Sequence, residues 1–274
     1  MQEVLGDVSS TAEIMGAMSD FLATVATVDE ETFVEAVADG DARARMLRNE
    51  VAANQYLQPH APRLRWTFER HDWVVAGFEQ VAGRHADLSP GSPDVPAAVG
   101  VLRVVSERQA AGPVAEKPLV TPWRRTAPWH QLAERPDGLD EWERQNRGLL
   151  LDQERRSHKY LAEGDRVVHA DLHMLNILVY GDTARFVDWG WVASGPGWVD
   201  PTLLTVRLVA AGHDCDAAER WAAYCPTWRA ADRDAVTAFA VEVLGMWRLR
   251  GHFPKLIYAA QRYAQYRVAG ATYE

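Results

Sequence analysis

Between two stretches of other character lies one extended island, residues 164–191, reading GDRVVHADLHMLNILVYGDTARFVDWGW. Its β-branched runs at Val167–Val168, Ile177–Tyr180 and Ala184–Val187, with a turn at Gly181-Asp182-Thr183, predict a hairpin entered by an irregular loop. If the two longer runs pair around Asp182, Asn176 and Asp188 fall opposite each other, with Cα atoms only about 5 Å apart. Asp171 lies five residues before Asn176 on the entering loop. A carboxylate and an amide oxygen, completed by water and phosphate oxygens, are a common way of holding Mg²⁺. Zinc would prefer nitrogen or sulfur.

The surrounding chain predicts two lobes. Of 274 residues, 47% are hydrophobic and 24% charged, which is the composition of a globular protein large enough for a cleft. Residues 20–38 alternate on both sides of an acidic break and predict a hairpin, and the apolar spacing from Asp41 to Leu57 predicts a helix. Two more extended runs follow between Pro62 and Gly83. The Pro- and Gly-rich ADLSPGSPDVP reads as a crossing, so a first lobe is expected over 1–82 and a second over 83–274. Helices are expected at 95–111, 139–161, 200–212, 214–224, 230–250 and 254–270. No internal repeat is evident.

Charge and cysteines narrow the function classes. A net charge of −9 with no basic run argues against nucleic acid and favours a cationic ligand. Cys215 and Cys225 form no CxxC or Cys/His array, and no targeting signal or membrane span is read, so a cytoplasmic protein is expected.

His169-Ala170-Asp171-Leu172-His173-Met174-Leu175-Asn176 resembles the HGDLHxxN motif of the aminoglycoside phosphotransferase family, itself similar to the catalytic loop of protein kinases. Asp188-Trp189-Gly190 resembles that family's metal-binding D-x-G. LRNE around Glu50, PRLRW at Pro62, the AGFEQVAGRHADL crossing and the segment after GPGWVDP agree more loosely. The resemblance implies an α+β, bilobal, protein-kinase-like fold, with a small sheet-plus-helix lobe and a mainly helical lobe. It implies a phosphotransferase that moves the γ-phosphoryl group of ATP or GTP, with Mg²⁺, to an alcohol of a small molecule such as an antibiotic or metabolite. Asp171 would orient and deprotonate the acceptor, Asn176 and Asp188 would hold Mg²⁺, and His169 and His173 would support the loop. Glu79, Gln80 and Val81 would form the hinge that binds the nucleotide base, with Glu50 as the helix glutamate. Trp191 and Trp198 are the candidate acceptor contacts.

One departure stands out. The family places a lysine in the third strand, but here Glu35 stands in that segment, and the first lysine of the chain is Lys117. Glu35 and Glu50 would then both face a polyphosphate. Arg43, Arg45 or Arg48, a second metal, or a partner subunit could compensate. The phosphate-covering segment, SSTAEIMGAMSDF, holds only Gly16. Three alternatives therefore stay open: a kinase for Ser or Thr of a biosynthetic precursor peptide working with a partner protein, a pseudokinase scaffold without nucleotide turnover, and a metallohydrolase built on His169 and His173 with His158 or His213. Asp200-Pro201 resembles a family position after the metal loop that helps fix the second lobe, although Asp200 reads first as a helix cap. The acidic run Asp137 to Glu143 would suit a cationic acceptor, or simply a helix start.

Overall fold

The computed structural model describes residues 8–13, 20–27 and 30–271. Its first elements are strands β1 (Val8–Glu13), β2 (Phe21–Thr27) and β3 (Glu31–Ala38), helix α1 (Ala42–Leu57), and strands β4 (Leu64–Arg70) and β5 (Trp73–Glu79). The strands form one antiparallel sheet in the order β1-β2-β3-β5-β4. The alternation anticipated for 20–38 places β3 at the centre. Val34 and Ala36 pack on one face with Ala23, Val25 and Val75, while Phe33 and Val37 pack on the other against Ala44 and Leu47 of α1. Glu35 shares the α1 side. Asp41 caps α1 by accepting from the Arg43 amide at 2.8 Å. The β4–β5 turn is made by His71 and Asp72, both at positive φ (51° and 63°), as a two-residue hairpin with the right twist requires. β1 had no counterpart in the sequence reading, and Gly16 of the phosphate-covering segment lies outside the described residues.

The crossing is not a plain linker. Its β6 (Arg84–His85) joins the hairpin predicted from the island, pairing with Leu178 and Val179. Gly83, at φ +135°, makes this possible, because a Cβ there would lie 2.7 Å from the Val179 carbonyl oxygen.

The second lobe is mainly helical: α2 (Asp94–Glu107), α3 (Val120–Thr126), α4 (Pro128–Ala133), α5 (Glu141–Gln145) and α6 (Arg147–Leu161) come first. Strands β7 (Arg166–Val168), β8 (Ile177–Tyr180), β9 (Thr183–Phe186) and β10 (Ala193–Gly195) follow, and then α7 (Val199–Ala210), α8 (Cys215–Ala222), α9 (Pro226–Arg229), α10 (Arg233–Arg250) and α11 (Pro254–Ala271). The single helix expected over 139–161 is broken at Asn146, so α5 carries its own capping box from Asp140 and Glu143. The centre of α10 is buried from Ala235 to Gly245, with the Trp129 indole against Gly245 and donating to the Val241 carbonyl at 2.8 Å. No helix among the described residues is long and apolar enough to cross a membrane. Cys215 and Cys225 are free thiols, both buried.

Candidate active site

The loop after β7 is fixed from both sides. His169 is fully buried and its Nε2 donates to the Val187 carbonyl at 3.0 Å. Burial pushes its pKa down to about 4, so the ring is neutral, with Nδ1 facing the Asp171 amide at 3.4 Å. Asp200 reaches back from α7 to accept from the His169 amide at 2.6 Å and the Ala170 amide at 2.9 Å. It therefore clamps this loop instead of capping its own helix, which corrects the sequence reading. Those bonds hold Ala170 at φ 66°, a left-handed conformation costly for a non-glycine residue. The reversal presents Asp171, whose side chain is 30% exposed. Burial pushes Asp171 up to about 6, with Arg207 opposing and Asp188 reinforcing the shift.

The side-chain amide of Asn176 donates to the Asp171 carbonyl at 3.0 Å, which turns Asn176 Oδ1 away from that carbonyl. Asn176 sits in a 3₁₀ turn, Met174–Asn176, whose N-cap is His173, with Nδ1 accepting from the Leu175 amide at 3.2 Å. His173 Nε2 lies 3.8 Å from Asp171 Oδ2. Burial drives His173 down to about 4, with Arg207 and His85 adding to the shift. The hairpin register differs by one from the expectation. Tyr180 pairs with Thr183 and Ile177 with Phe186, so Asn176 faces Val187, whose amide donates to the Asn176 carbonyl at 3.0 Å. The turn is two residues, Gly181-Asp182, and Asp188 follows one position beyond at φ 60°. Burial raises Asp188, while a bond from the Gly190 amide works against the shift.

On the opposite side of Asp188 the first lobe contributes acid. Glu50 is buried and accepts from the Trp189 amide, and burial, Asp188 and Glu35 together raise its pKa well above the carboxylate range. That shift disfavours the charged form and so eases the repulsion expected between two carboxylates. Arg43 and Arg48 do not compensate: Arg43 is paired with Asp20 and Asp41, and Arg48 with Asp39 and Glu69. Lys117 reaches α1 from the second lobe and donates to the Asn49 side chain, one residue from Glu50. Asn49 in turn donates to the Gly190 and Val192 carbonyls at 2.8 and 3.2 Å.

At the hinge, β3–β5 pairing stops at Thr32 and Glu79, leaving the backbone of Gln80 and Val81 outside the sheet. A cleft of about 300 Å³ is lined by Glu79 to Ala82 together with Leu178, Tyr180 and Thr183 to Arg185. The Glu79 side chain bonds Arg185 at 2.6 Å and the Gln80 side chain accepts from Thr24 at 3.0 Å. The polar side chains of Glu79 and Gln80 are thus engaged within the protein.

The Trp198 and hydrolase readings need correction. Trp198 is packed edge-on against Phe239 in the core, 8% exposed, and is not an acceptor contact, whereas Trp191 is exposed. The acidic run takes its helix-start reading: Asp140 caps α5, Asp140 and Glu143 also bind Arg248 at 2.9 and 2.6 Å, and Glu141 binds Arg144 at 2.9 Å. The hydrolase cluster does not assemble either. His158 bonds Glu242 at 2.8 Å and His213 bonds the Leu88 carbonyl at 3.0 Å. Among the described residues no group of three or more His, Cys, Asp and Glu side chains is placed to hold a metal. Asn176 and Asp188 offer hard oxygen donors instead, which fit Mg²⁺.

The sequence reading missed Arg207, Trp247 and Arg250. Arg207 Nη2 lies 4.0 Å from Asp171 Oδ1, and both guanidinium groups lie against the Trp247 ring, 4.9 and 5.1 Å from its centroid. The i,i+3 spacing of Trp247 and Arg250 on α10 was the only available signal.

No family model and no curated protein matches the chain. Solved structures do. A thermostable mutant of aminoglycoside phosphotransferase APH(4)-Ia, in ternary complex with ADP and hygromycin B, aligns over 98% of this chain and 97% of its own at 13% identity, with a TM-score of 0.66. Spectinomycin phosphotransferase APH(9)-Ia, in complex with ADP and spectinomycin, aligns over 94% and 89% at 12% identity, TM-score 0.58. The GDP complex of an aminoglycoside 2'-phosphotransferase-IIIa mutant aligns over 98% and 94% at 16% identity, TM-score 0.58. From end to end, then, this chain has the bilobal, kinase-like fold of the aminoglycoside phosphotransferases.

Proposed function

We propose that the protein is a phosphotransferase that moves the γ-phosphoryl group of a nucleoside triphosphate to the hydroxyl of a small molecule. The observation that carries this reading is the grouping of Asp171, Asn176 and Asp188 on one loop-and-hairpin unit, clamped by Asp200 and His169. Asn176 and Asp188 would hold Mg²⁺, which supplies neutralisation of charge on the phosphate oxygens when bound. Asp171 orients the acceptor hydroxyl and takes its proton as the acceptor oxygen bonds to the γ-phosphorus. The bond to the β-phosphate oxygen breaks, and a nucleoside diphosphate leaves. Such a loose transition state needs positioning more than covalent help, which is what a doubly clamped loop provides. The cleft beside Glu79, Gln80 and Val81 would take the base of ATP or GTP; the similar structures contain ADP or GDP.

Glu35 beside Glu50, in the strand where the resemblance expects a lysine, favours a second reading, a nucleotide-free scaffold, because no strand lysine meets the phosphates. A thermal-shift titration separates the two. Mg·ATP or Mg·GTP stabilises a phosphotransferase, whereas no shift at millimolar nucleotide leaves the scaffold. Stabilisation that appears only with a co-purifying protein identifies the partner-dependent peptide kinase. In the active case, Asp171→Asn lowers kcat by about 10³-fold or more with nucleotide affinity nearly unchanged. Equal turnover in that variant removes Asp171 as the base.

A further inference from the structure

We propose that the acceptor alcohol carries its own negative charge, a carboxylate or phosphate close to the reacting hydroxyl, held by Arg207 and Arg250. This rests on the reading of Asp171 as the base. The side chain of Arg207 is 21% exposed, and its one carboxylate neighbour within 4.0 Å among the described residues is Asp171. That separation is too long for a hydrogen bond. Neither Arg207 nor Arg250 donates a hydrogen bond to any described residue, although both guanidinium groups rest on Trp247. Stacking fixes the planes of the two cations and leaves their N–H edges for a ligand, the geometry that suits forked binding of an oxyanion. Arg250 is exposed, and the exposed ring of Phe253 packs edge-on against Trp247, 6.0 Å between centroids, so this wall opens to solvent.

The charge balance around the base points the same way. The groups that act electrostatically on Asp171 are Arg207, Arg250 and Asp188, and Arg207 and His85 act on His173. With Asp188 assigned to the metal and the buried Asp200, which also acts electrostatically on Asp171, bonded to the His169 and Ala170 amides, Asp171 is the carboxylate left facing Arg207 and Arg250 in a chain whose net charge is −9. Of the acidic run that would have drawn a polycationic acceptor, Asp140 and Glu143 are engaged by Arg248 and Glu141 by Arg144. An aminoglycoside ammonium beside Asp171 would meet the two arginines, whereas an anionic alcohol would complete their hydrogen bonding.

The full-length protein is assayed with Mg·ATP and Mg·GTP against D-glycerate and D-gluconate, sn-glycerol 3-phosphate, D-glucitol, kanamycin, spectinomycin and an acidic serine peptide. The expected result is a kcat/KM at least 10-fold higher for carboxylate- or phosphate-bearing alcohols than for kanamycin or spectinomycin, the two anionic arms telling carboxylate from phosphate. Arg250→Glu, at an exposed position, raises the acceptor KM at least 10-fold and leaves the nucleotide KM unchanged; Arg207→Gln does the same. Equal or better turnover of the cationic glycosides overturns the inference. So does an unchanged acceptor preference in Arg250→Glu, a nucleotide KM that rises in step, or transfer confined to the peptide. If no acceptor is phosphorylated while Mg·nucleotide still stabilises the protein, the inference falls and the donor half of the phosphotransferase reading stands. Absence of nucleotide stabilisation removes that reading itself.

Discussion

Asp200 and His169 act on stability in opposite directions as pH changes. Asp200 is raised from 3.8 to about 6, so between those values the folded protein holds a proton that the unfolded chain has released, and this contribution strengthens the fold on acidification. His169 is lowered from 6.5 to about 4, so below 6.5 the unfolded chain takes up a proton that the folded state refuses, which weakens the fold over nearly the same range. Asp171 and His173 add a second pair with the same signs. Between pH 4 and 6 these four contributions oppose one another in pairs, and the variants are read against the wild-type urea midpoints. Asp200→Asn removes one compensating group and makes stability fall on acidification, with an added slope approaching 1.4 kcal/mol per pH unit. His169→Gln gives the reverse slope; curves parallel to wild type in both variants would contradict the assignment. Asp171, Asn176, Asp188 and His169 were legible in the sequence because one short segment carries them all. Arg207, Trp247 and Arg250 were not, since they arrive from α7 and α10 and no local spacing announces a contact made across helices.

Two glycines make the crossing element testable. Gly83→Ala would force a Cβ to 2.7 Å from the Val179 carbonyl oxygen at φ +135°, so a loss of about 1–3 kcal/mol is expected, together with loss of protection of the Ala86 amide that bonds the Ile177 carbonyl. Gly100 in α2 has nothing within 4 Å of an added Cβ, and Gly100→Ala should gain about 0.5–1 kcal/mol by chemical denaturation. Helix α1 was legible from its apolar spacing, β2 and β3 from their alternation, and β4 and β5 from their content of Val, Trp and Phe. The break at Asn146 and the short α3 and α4 were not. They are imposed by buried tertiary partners, as where the Trp129 amide at the start of α4 donates to Glu154 of α6 at 2.6 Å. The one-residue register error had a plainer cause, a three-residue turn read where two residues suffice.

At the scale of the whole molecule, the two sides of the candidate site are moored to different lobes. The Asp171 loop is bound by Asp200 within the helical lobe, whereas the segment after Asp188 is bound to α1 through the Glu50–Trp189 amide contact and through Asn49 to the Gly190 and Val192 carbonyls. Asn49→Ala should therefore raise the nucleotide KM and lower kcat together, by roughly 10-fold, while acceptor KM stays within about twofold. A change confined to thermal stability would contradict that coupling. The bilobal architecture was legible from the alternation of extended and helical stretches, but this mooring was not, since it joins side chains of α1 to carbonyls about 140 positions away in the chain. Its consequence concerns timing. Freeing α1 would leave Asp188 tied to the Asp171 loop through Val187, whose carbonyl accepts from His169 and whose amide donates to Asn176, so the second lobe's share of the site outlasts the departure of the first.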